Sequence, residues 1–575
     1  MANNHSRCFN TIGACNPLKH YMIPAAPRIP DVSDMIKGNY YFLVHAPRRS
    51  GKTTCLAALT DRINSEGQFY AIRCELAALS EISDAETAMS RIVDRIDAAL
   101  ESSKVEEIRR LAFSFGSERY MALSVAKVQP MLNDMCRALD RELVVFFDDA
   151  DCLRESPLVM LLAQIKGGYD GRFGSRWSRF PRSLAIVGKR DIRDYPSRVR
   201  PDGTTAGFVD LFNIKKKSLS LPDFTRDEIG ALYGQHTAAT GQVFEPEAVD
   251  RAWRWTEGQP WLVNVLADDI VAKRFGNDYS RTVTGADVDL AARDIITSED
   301  PRFVDLRERI REPRVRRVTE SVLVGAVCLP NAISDDDALY PVDLGLLKAS
   351  PDFGNPLRPA NPINEAIIVG TLTEKLQAGM PGDLAGKWMD GTRLDMNGIL
   401  KAFRDYWRKN RESLAVDNES ECRVDESIGA ALERYNIVDG GMGKSVARTV
   451  RKNLTERSDE AFCLLVLFAF LQKVLDGGQK VLDGGAEIDR DYALGGARTH
   501  VFVRYKGITY PLELKSRGVP SRDESIERLS GFIDESGAPA GWLVVFDRNP
   551  KKPRDEKAFW KTVDRGGKTI HVVGC

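Results

Sequence analysis

One stretch of this 575-residue chain carries residue types suited to phosphate chemistry. The letters APRRSGKT, residues 46–53, form a glycine-containing loop that ends in a lysine and a threonine. The backbone N–H groups of such a loop can wrap a phosphate chain, while the lysine reaches the outer phosphates and the threonine hydroxyl ligates Mg²⁺. We therefore expect this loop to bind ATP with Mg²⁺. The residues predicted to bind it are Ala46, Arg48, Ser50, Gly51, Lys52, Thr53 and Thr54.

A pair of carboxylates ends the apolar run in RELVVFFDDADCL, residues 141–153. Such a run is typical of a buried parallel strand. Asp148 is predicted to hold the Mg²⁺ of a bound nucleotide, and Asp149 to orient the attacking water. Enzymes that hydrolyse ATP with such a pair usually carry glutamate at the second position. Aspartate is one methylene shorter, so we expect slow hydrolysis of ATP. The alternative is a pair of exposed carboxylates at the end of a strand.

A second stretch, residues 495–517, places Glu513 and Lys515 two residues apart in a strand pattern. Residues two apart on a strand face the same way, so these two share a face while Leu512 and Leu514 face the core. A carboxylate and an ammonium group in this arrangement suit a metal site that activates water. The alternative is a surface salt bridge in a domain kept for its shape.

Strands and helices that would position the first loop can be traced on both sides of it. An apolar strand precedes the loop and a helical pattern follows, as phosphate binding at a helix N-terminus requires. FYAIRCEL and SLAIVGKRDI are predicted to be further strands, and the second runs into Arg190. Arg190 is a candidate sensor of the γ-phosphate, or else a salt-bridged loop residue.

The following segments predict helices and then a mixed region. Thr225 and Glu228 have the spacing of a capping box, and Gly241 is expected to end that helix. The region 299–378 holds six arginines between positions 307 and 317, followed by short strands and turns typical of a winged-helix module. The arginines would contact DNA phosphates, or they would form a solvated helix face diluted by glutamates.

Composition bounds the class of protein. The chain is 43% hydrophobic and 28% charged with a formal net charge of −1, which excludes a wholly basic, histone-like binder. Its ten cysteines include no C-x-x-C pair, which predicts reduced thiols and a cytoplasmic location. The longest apolar run, residues 461–471, is shorter than the roughly 20 residues that span a bilayer. It is predicted to be a buried helix, and no membrane partner is expected.

With these motifs the chain resembles bacterial AAA-like and STAND-like P-loop ATPases. The matching stretches are FNTIGACNPLKHYMIP, YYFLVHAPRRSGKTT, VGKRDIRDY, GQVFEPEAV and EGQPWLVNVLA, which together span most of the first 290 residues. The resemblance implies an ATP-binding α/β core followed by a helical lid that moves with the nucleotide state. Some relatives form rings, so the resemblance also implies homo-oligomers for this chain.

The C-terminal part resembles PD-(D/E)xK nuclease-like domains through GAEIDRDYALGGARTHVFV, YPLELK, GWLVVFDR and GGKTIHVVGC. The resemblance implies that Glu513 binds a metal beside an aspartate and that Lys515 orients water. This chain departs from that pattern, with His500 at the aspartate position and Arg528 where relatives place glutamine. Mg²⁺ prefers oxygen ligands, so a His500/Glu513 site would suit Mn²⁺ better. Nearby acidic residues that could substitute are Glu460, Glu487, Asp489 and Asp491.

A tandem heptad, QKVLDGGQKVLDGG at residues 472–485, lies just before these strands. Functional repeat folds need longer units, so the repeat is interpreted as a recent duplication. Its second copy would loop out or displace the following strand, and either change would loosen the predicted site at Glu513 and Lys515.

The predicted architecture has five parts: a P-loop core (1–222), a helical lid (223–298), a winged-helix-like part (299–378), a linker (379–394) and a restriction-endonuclease-like α/β domain (395–575). Two functions fit it. In the first, an ATPase switch acts on or binds DNA, in a mobile-element or anti-phage setting suggested by architecture alone. In the second, a nucleotide-gated scaffold with a catalytically dead nuclease fold binds a protein partner.

Overall fold

The computed structural model describes most of the chain. The described residues are 7–121, 123, 125–153, 156–172, 179–189, 198–199, 205–206, 214–298, 300–323, 336–350, 357–381, 384, 387–388, 392–421, 462–475, 487–492, 499–516, 522–547 and 553–575. Two compact units are formed. The first comprises Met1–Ser298, Ile333–Leu346 and Ala360–Ile363, and the second comprises Glu299–Ala332, Leu347–Pro359 and Asn364–Cys575. The five-part division of the chain stays a prediction.

A five-stranded parallel sheet forms the centre of the first unit. Its strands are β1 (Tyr41–His45), β2 (Tyr70–Glu75), β3 (Leu143–Asp148), β4 (Ser183–Gly188) and β5 (Lys215–Ser220). Across the sheet they run in the order β2-β3-β4-β1-β5. This is the parallel α/β sheet that the sequence predicts for the first part of the chain. The carboxyl ends of β1, β3 and β4 lie side by side, which is where α/β sheets place ligands.

Helices cover both faces of this sheet. On one face lie α1 (Val32–Lys37) and α2 (Lys52–Glu66), and on the other lie α3 (Ala85–Glu101), α4 (Glu106–Phe115), α5 (Val128–Ala138) and α6 (Ser156–Gly171). Because strand residues alternate in direction, Phe42 and Val44 pack under α2 while Tyr41 and Leu43 pack on the opposite side. Every residue of β3 is buried, as the apolar run predicts for a central parallel strand.

Residues 221–298 of the first unit contain the α-helices α7 (Arg226–Thr240), α8 (Pro246–Thr256), α9 (Pro260–Asp268) and α10 (Gly285–Thr297). The predicted capping box is confirmed, since Thr225 Oγ1 accepts from the Glu228 N–H and the Glu228 carboxylate accepts from the Thr225 N–H. Gly241 ends α7 with a φ of 81°, a conformation that favours glycine.

The middle of the chain contributes to both units. α11 (Pro301–Arg311) and α12 (Pro313–Leu323) belong to the second unit, whereas α13 (Asp336–Asp343) belongs to the first. Strands β6 (Leu347–Ala349) and β7 (Leu357–Pro359) then pair antiparallel in the second unit. Helix α14 (Pro362–Ala378) follows them.

The second unit contains a six-stranded mixed sheet. Two helices precede it, α15 (Met396–Glu421) and α16 (residues 462–475). The sheet is built from β8 (Glu487–Tyr492), β9 (Thr499–Tyr505), β10 (Ile508–Ser516), β11 (Gly541–Phe546), β12 (Trp560–Arg565) and β13 (Lys568–Gly574), with α17 (Arg522–Ser536) between β10 and β11. The order is β8-β9-β10-β11-β13-β12, with parallel pairs only at β10–β11 and β11–β13.

Helix α16 is buried along its apolar residues, in agreement with the buried helix predicted from residues 461–471. Within the described part of the chain, no helix is both long and apolar enough to cross a bilayer. The second copy of the duplicated heptad, residues 479–485, lies outside the described residues, as do Glu460 and Arg190.

Candidate functional site: a phosphate loop and a buried carboxylate

The predicted phosphate loop joins β1 directly to α2. Gly51, immediately before α2, has a φ of 89°, which is open to glycine but strained for other residues. The Ser50 hydroxyl donates to the Pro47 carbonyl at 2.8 Å. Ala46 is buried, and its N–H donates to the Gly188 carbonyl of β4 at 3.3 Å. The loop is therefore anchored to the sheet at its first residue and turned into the helix by its glycine.

Lys52 is folded back over the start of this loop. Its ammonium group donates to the carbonyls of Ala46 at 2.7 Å and of Pro47 at 2.9 Å, and only 7% of the residue is exposed. Burial lowers the pKa of Lys52, while the carboxylates of Asp151, Asp149 and Asp148 act in the opposite direction. A buried ammonium group held at the N-terminus of a helix is suited to bind a phosphate chain.

Asp148, at the end of β3, is fully buried with a set of charged and polar partners. Its Oδ2 accepts from Arg73 Nη1 at 3.0 Å, and its Oδ1 accepts from the Asp149 N–H at 3.1 Å. Burial raises the pKa of Asp148, and Arg73 and a hydrogen bond from the Thr53 side chain lower it. A carboxylate and a hydroxyl held together in this way are the oxygen donors that Mg²⁺ prefers, so the residues present fit this ion.

Asp149 lies at a strained turn directly after β3. Its φ of 53° is positive, a conformation that aspartate tolerates better than most residues. Burial is the main cause that raises the pKa of Asp149, and the neighbouring Asp148 raises it further. Both effects favour the protonated form of the Asp149 carboxyl group.

Two charged residues of this site carried no sequence signal that singled them out. Arg73 comes from β2, two residues before Glu75, which pairs in register with Asp148. Lys189 follows β4 and contacts Asp151 through its ammonium group at 3.0 Å and its N–H at 3.2 Å. Only the parallel order of β2, β3 and β4 brings these side chains together, so the strand patterns alone could not have identified them.

The other predicted loop residues have contacts within the first unit. Thr54 Oγ1 accepts from the Cys15 N–H at 3.0 Å, which ties α2 to the N-terminal segment. The Arg48 N–H donates to the Asp343 carbonyl of α13 at 3.0 Å. The Arg49 guanidinium lies over the Trp261 ring, 3.8 Å from the ring centre.

The predicted C-terminal site lies on adjacent strands of the second sheet. Asp491 on β8 is in register with His500 on β9, and His500 is in register with Glu513 on β10. These three positions form one row across the sheet. The side chains of Asp491 and His500 lie outside the description, whereas those of Glu513 and Lys515 are within it.

Glu513 is buried, with 2% of the residue exposed, between the buried Leu512 and Leu514. Its Oε1 accepts from the Arg528 guanidinium of α17, which also donates to Ser525 Oγ at 3.2 Å. Arg528 thus places a positive charge on the carboxylate that was predicted to bind a metal. Among the described residues, no group of three or more His, Cys, Asp or Glu side chains is placed to hold a metal ion.

The arginine-rich helices of the middle region carry ion pairs. Arg309 and Arg314 contact Glu312 at 2.9 and 3.2 Å, and Arg316 contacts Glu320 at 2.8 Å. Arg311 contacts Glu308 at 2.5 Å and Glu374 at 2.6 Å. This arrangement favours the charge-balanced face over a row of arginines directed at DNA phosphates.

Comparison with known proteins gives structural likeness only. No protein-family model matches the chain, and no curated protein matches it. A Walker-type ATPase of Pyrococcus abyssi aligns at 14% identity over 60% of this chain and 98% of that chain, with a TM-score of 0.39. The Aeropyrum pernix ORC2 protein aligns at 15% identity over 59% and 88% of the two chains, with a TM-score of 0.34. The Thermotoga maritima RuvB branch migration motor aligns at 15% identity over 56% and 86%, with a TM-score of 0.29. At these TM-scores the function has to be argued from the site itself.

Arg73→Gln should destabilise the first unit by about 2 kcal/mol, because it leaves the buried Asp148 carboxylate without its guanidinium partner. Arg91→Gln is the matched control, since Arg91 pairs with Asp94 on an exposed helix surface. Its loss should cost less than about 0.5 kcal/mol. Urea unfolding of both variants checks the difference, and equal costs would contradict the role of Arg73.

Arg528→Gln should destabilise the second unit, by about 2 kcal/mol, because it removes the guanidinium that pairs with the buried Glu513 carboxylate. The double variant Glu513→Gln/Arg528→Gln should recover most of that loss, since it removes both charges. Arg565→Gln is the control, because Arg565 pairs with Glu527 in an exposed contact. A double variant no more stable than Arg528→Gln would show that the pair is not the source of the effect.

Proposed function

We propose that this chain is an ATP-binding and slowly ATP-hydrolysing switch protein. The observation that carries the proposal is the convergence of Lys52 and Asp148 at the carboxyl edge of the parallel sheet. A glycine-containing loop and the N-terminus of α2 lie at the same edge, so backbone N–H groups and a buried ammonium group face one position.

In this proposal Lys52 exchanges its contacts with the Ala46 and Pro47 carbonyls for the β- and γ-phosphates of ATP. Thr53 and Asp148 would hold Mg²⁺, which neutralises phosphate charge when bound. Arg73 keeps the Asp148 carboxylate oriented and charged despite its burial. Asp149 orients the attacking water and accepts its proton, and its short side chain makes that step slow.

Other predicted roles are part of the same proposal. Ser50, Gly51 and Thr54 shape the loop and its junction with α2, while Arg190 would sense the γ-phosphate. Lys189, fixed by Asp151 at the end of β4, is a second candidate for that sensor. The helices α7 to α10 would act as a lid. A cytoplasmic location and assembly into homo-oligomers are proposed with this switch.

We propose that the C-terminal sheet is a PD-(D/E)xK nuclease-like domain that binds DNA without cutting it. The Arg528 guanidinium on the buried Glu513 supports the loss of cutting, because it supplies the positive charge that a metal ion would bring. Lys515, on the same strand and half-buried, would then contact a phosphate instead of a water. A mobile-element or anti-phage defence setting agrees with this joining of an ATPase to a nuclease-like fold.

A second candidate is a nucleotide-gated scaffold whose C-terminal domain binds a protein. The ion pairs of the arginines in α11 and α12 favour this candidate, because glutamates of the same protein balance their charge. The two candidates share the ATP switch and differ only in the partner.

Lys52→Ala should abolish ATP binding, because it removes the ammonium group that lies at the phosphate loop. Lys104→Ala is the matched control, since Lys104 pairs with Asp61 on the surface. Titration with a fluorescent ATP analogue measures both variants, with Mg²⁺ present and absent. Normal binding by Lys52→Ala would contradict the proposed nucleotide site.

The unaltered protein should bind DNA but should not cleave linear, circular or single-stranded DNA with Mg²⁺ or Mn²⁺, with or without ATP. Binding measured at two salt concentrations should weaken steeply as salt rises, as phosphate contacts require. The double variant His500→Asp/Arg528→Gln restores the nuclease pattern and serves as the reference for cleavage. Cleavage by the unaltered protein that Lys515→Ala abolishes would overturn the loss of cutting, and no DNA binding at either salt concentration would favour the scaffold.

A further inference from the structure

Helix α13 reaches the phosphate loop although almost 300 residues of sequence separate them. The Arg48 N–H of the loop donates to the Asp343 carbonyl in the last turn of α13 at 3.0 Å. Both residues belong to the first unit, and the Asp343 residue is buried with 6% exposed. A donor of the predicted phosphate loop is thus bound to a carbonyl from the middle of the chain.

Gly345 shapes the turn that makes this contact. The Leu346 N–H donates to the Pro341 carbonyl at 3.0 Å and the Gly345 N–H to the Val342 carbonyl at 2.9 Å, which together form a Schellman motif. The φ of Gly345 is 76°. A Cβ atom at this position would lie 3.4 Å from the Arg48 carbonyl oxygen and 3.6 Å from Pro47 Cβ. Both distances are ordinary van der Waals contacts, so the positive φ of this turn, rather than a lack of space, favours glycine here.

The electrostatics of this contact oppose phosphate binding. A helix C-terminus carries a partial negative charge on its terminal carbonyl groups. At this loop the C-terminus of α13 lies against residues 47 and 48, while the N-terminus of α2 begins at Lys52. Phosphate oxygens and the Asp343 carbonyl compete for the same kind of partner, a backbone N–H of the loop. The guanidinium of the next residue, Arg49, lies over the Trp261 ring. The Ala46 N–H, on the other side of Arg48, donates to the Gly188 carbonyl. The Arg48–Asp343 hydrogen bond is therefore flanked by fixed contacts of the loop.

We propose that the C-terminal turn of α13, residues 343–346, is an autoinhibitory clamp on the phosphate loop that ATP binding releases. This inference rests on the proposed ATP site and adds its regulation. Leu346 is followed directly in the chain by β6, whose residues belong to the second unit. Because ATP would bind the open state, a change that shifts the clamp toward that state tightens ATP binding in proportion to the increase in the open fraction.

Gly345→Ala tests the clamp, because the added Cβ strains a residue at positive φ in the turn that carries the Asp343 carbonyl. Gly241→Ala is the matched control, since Gly241 ends α7 at a φ of 81° with nothing within 4 Å of an added Cβ. We expect Gly345→Ala to bind a fluorescent ATP analogue about fivefold more tightly than the unaltered protein, the effect of one ordinary hydrogen bond. The control should bind it with unchanged affinity.

Hydrogen–deuterium exchange gives a second readout that does not depend on the variant. ATP should speed exchange of the Leu344, Gly345 and Leu346 amides in the unaltered protein, and it should have no such effect in Lys52→Ala. If Gly345→Ala binds the ATP analogue with unchanged or weaker affinity, the clamp is overturned but the ATP site is not. The same holds if the unaltered protein binds ATP with no change in hydrogen exchange at this turn. No ATP binding by the unaltered protein would overturn the proposed function and the clamp with it.

Discussion

The ion pair between Arg73 and the buried Asp148 is the constraint around which the first unit is organised. A carboxylate with no exposed surface at the end of a central strand is costly unless charges and donors surround it. The chain meets that cost with Arg73 from β2, a hydrogen bond from the Thr53 side chain and the N–H of Asp149. Since each partner comes from a different element, the charge balance is satisfied only when the parallel sheet is correctly ordered.

The second unit solves a related problem in a different way. Glu513 is as deeply buried as a metal-binding carboxylate in a nuclease core would be, yet an arginine from the following helix neutralises it. A guanidinium group is permanently charged and tethered by its own backbone, whereas a metal ion has to be captured from solution. An arginine in this position balances the charge of the buried carboxylate without a bound ion.

Local patterns were sufficient to predict the parallel core, the capping box at Thr225 and the buried helix at 462–475. Each of these depends on residues close together in the sequence, such as an apolar run or a cap spacing. Arg73 and Lys189 were missed because their importance arises from strand order, which no single segment encodes. The contact of Asp343 with the phosphate loop was missed for the same reason, because 295 residues of sequence separate Asp343 from Arg48. The side chain of His500 and the whole of Arg190 lie outside the described residues, so their predicted roles stay predictions.

The division of the chain has a consequence for its synthesis. The first unit includes Ile333–Leu346 and Ala360–Ile363 in addition to the first 298 residues. A nascent chain released from the ribosome up to residue 298 therefore lacks the last pieces of its first unit. Folding of that unit can be completed only after part of the second has also emerged, so the usual domain-by-domain order of co-translational folding does not hold here.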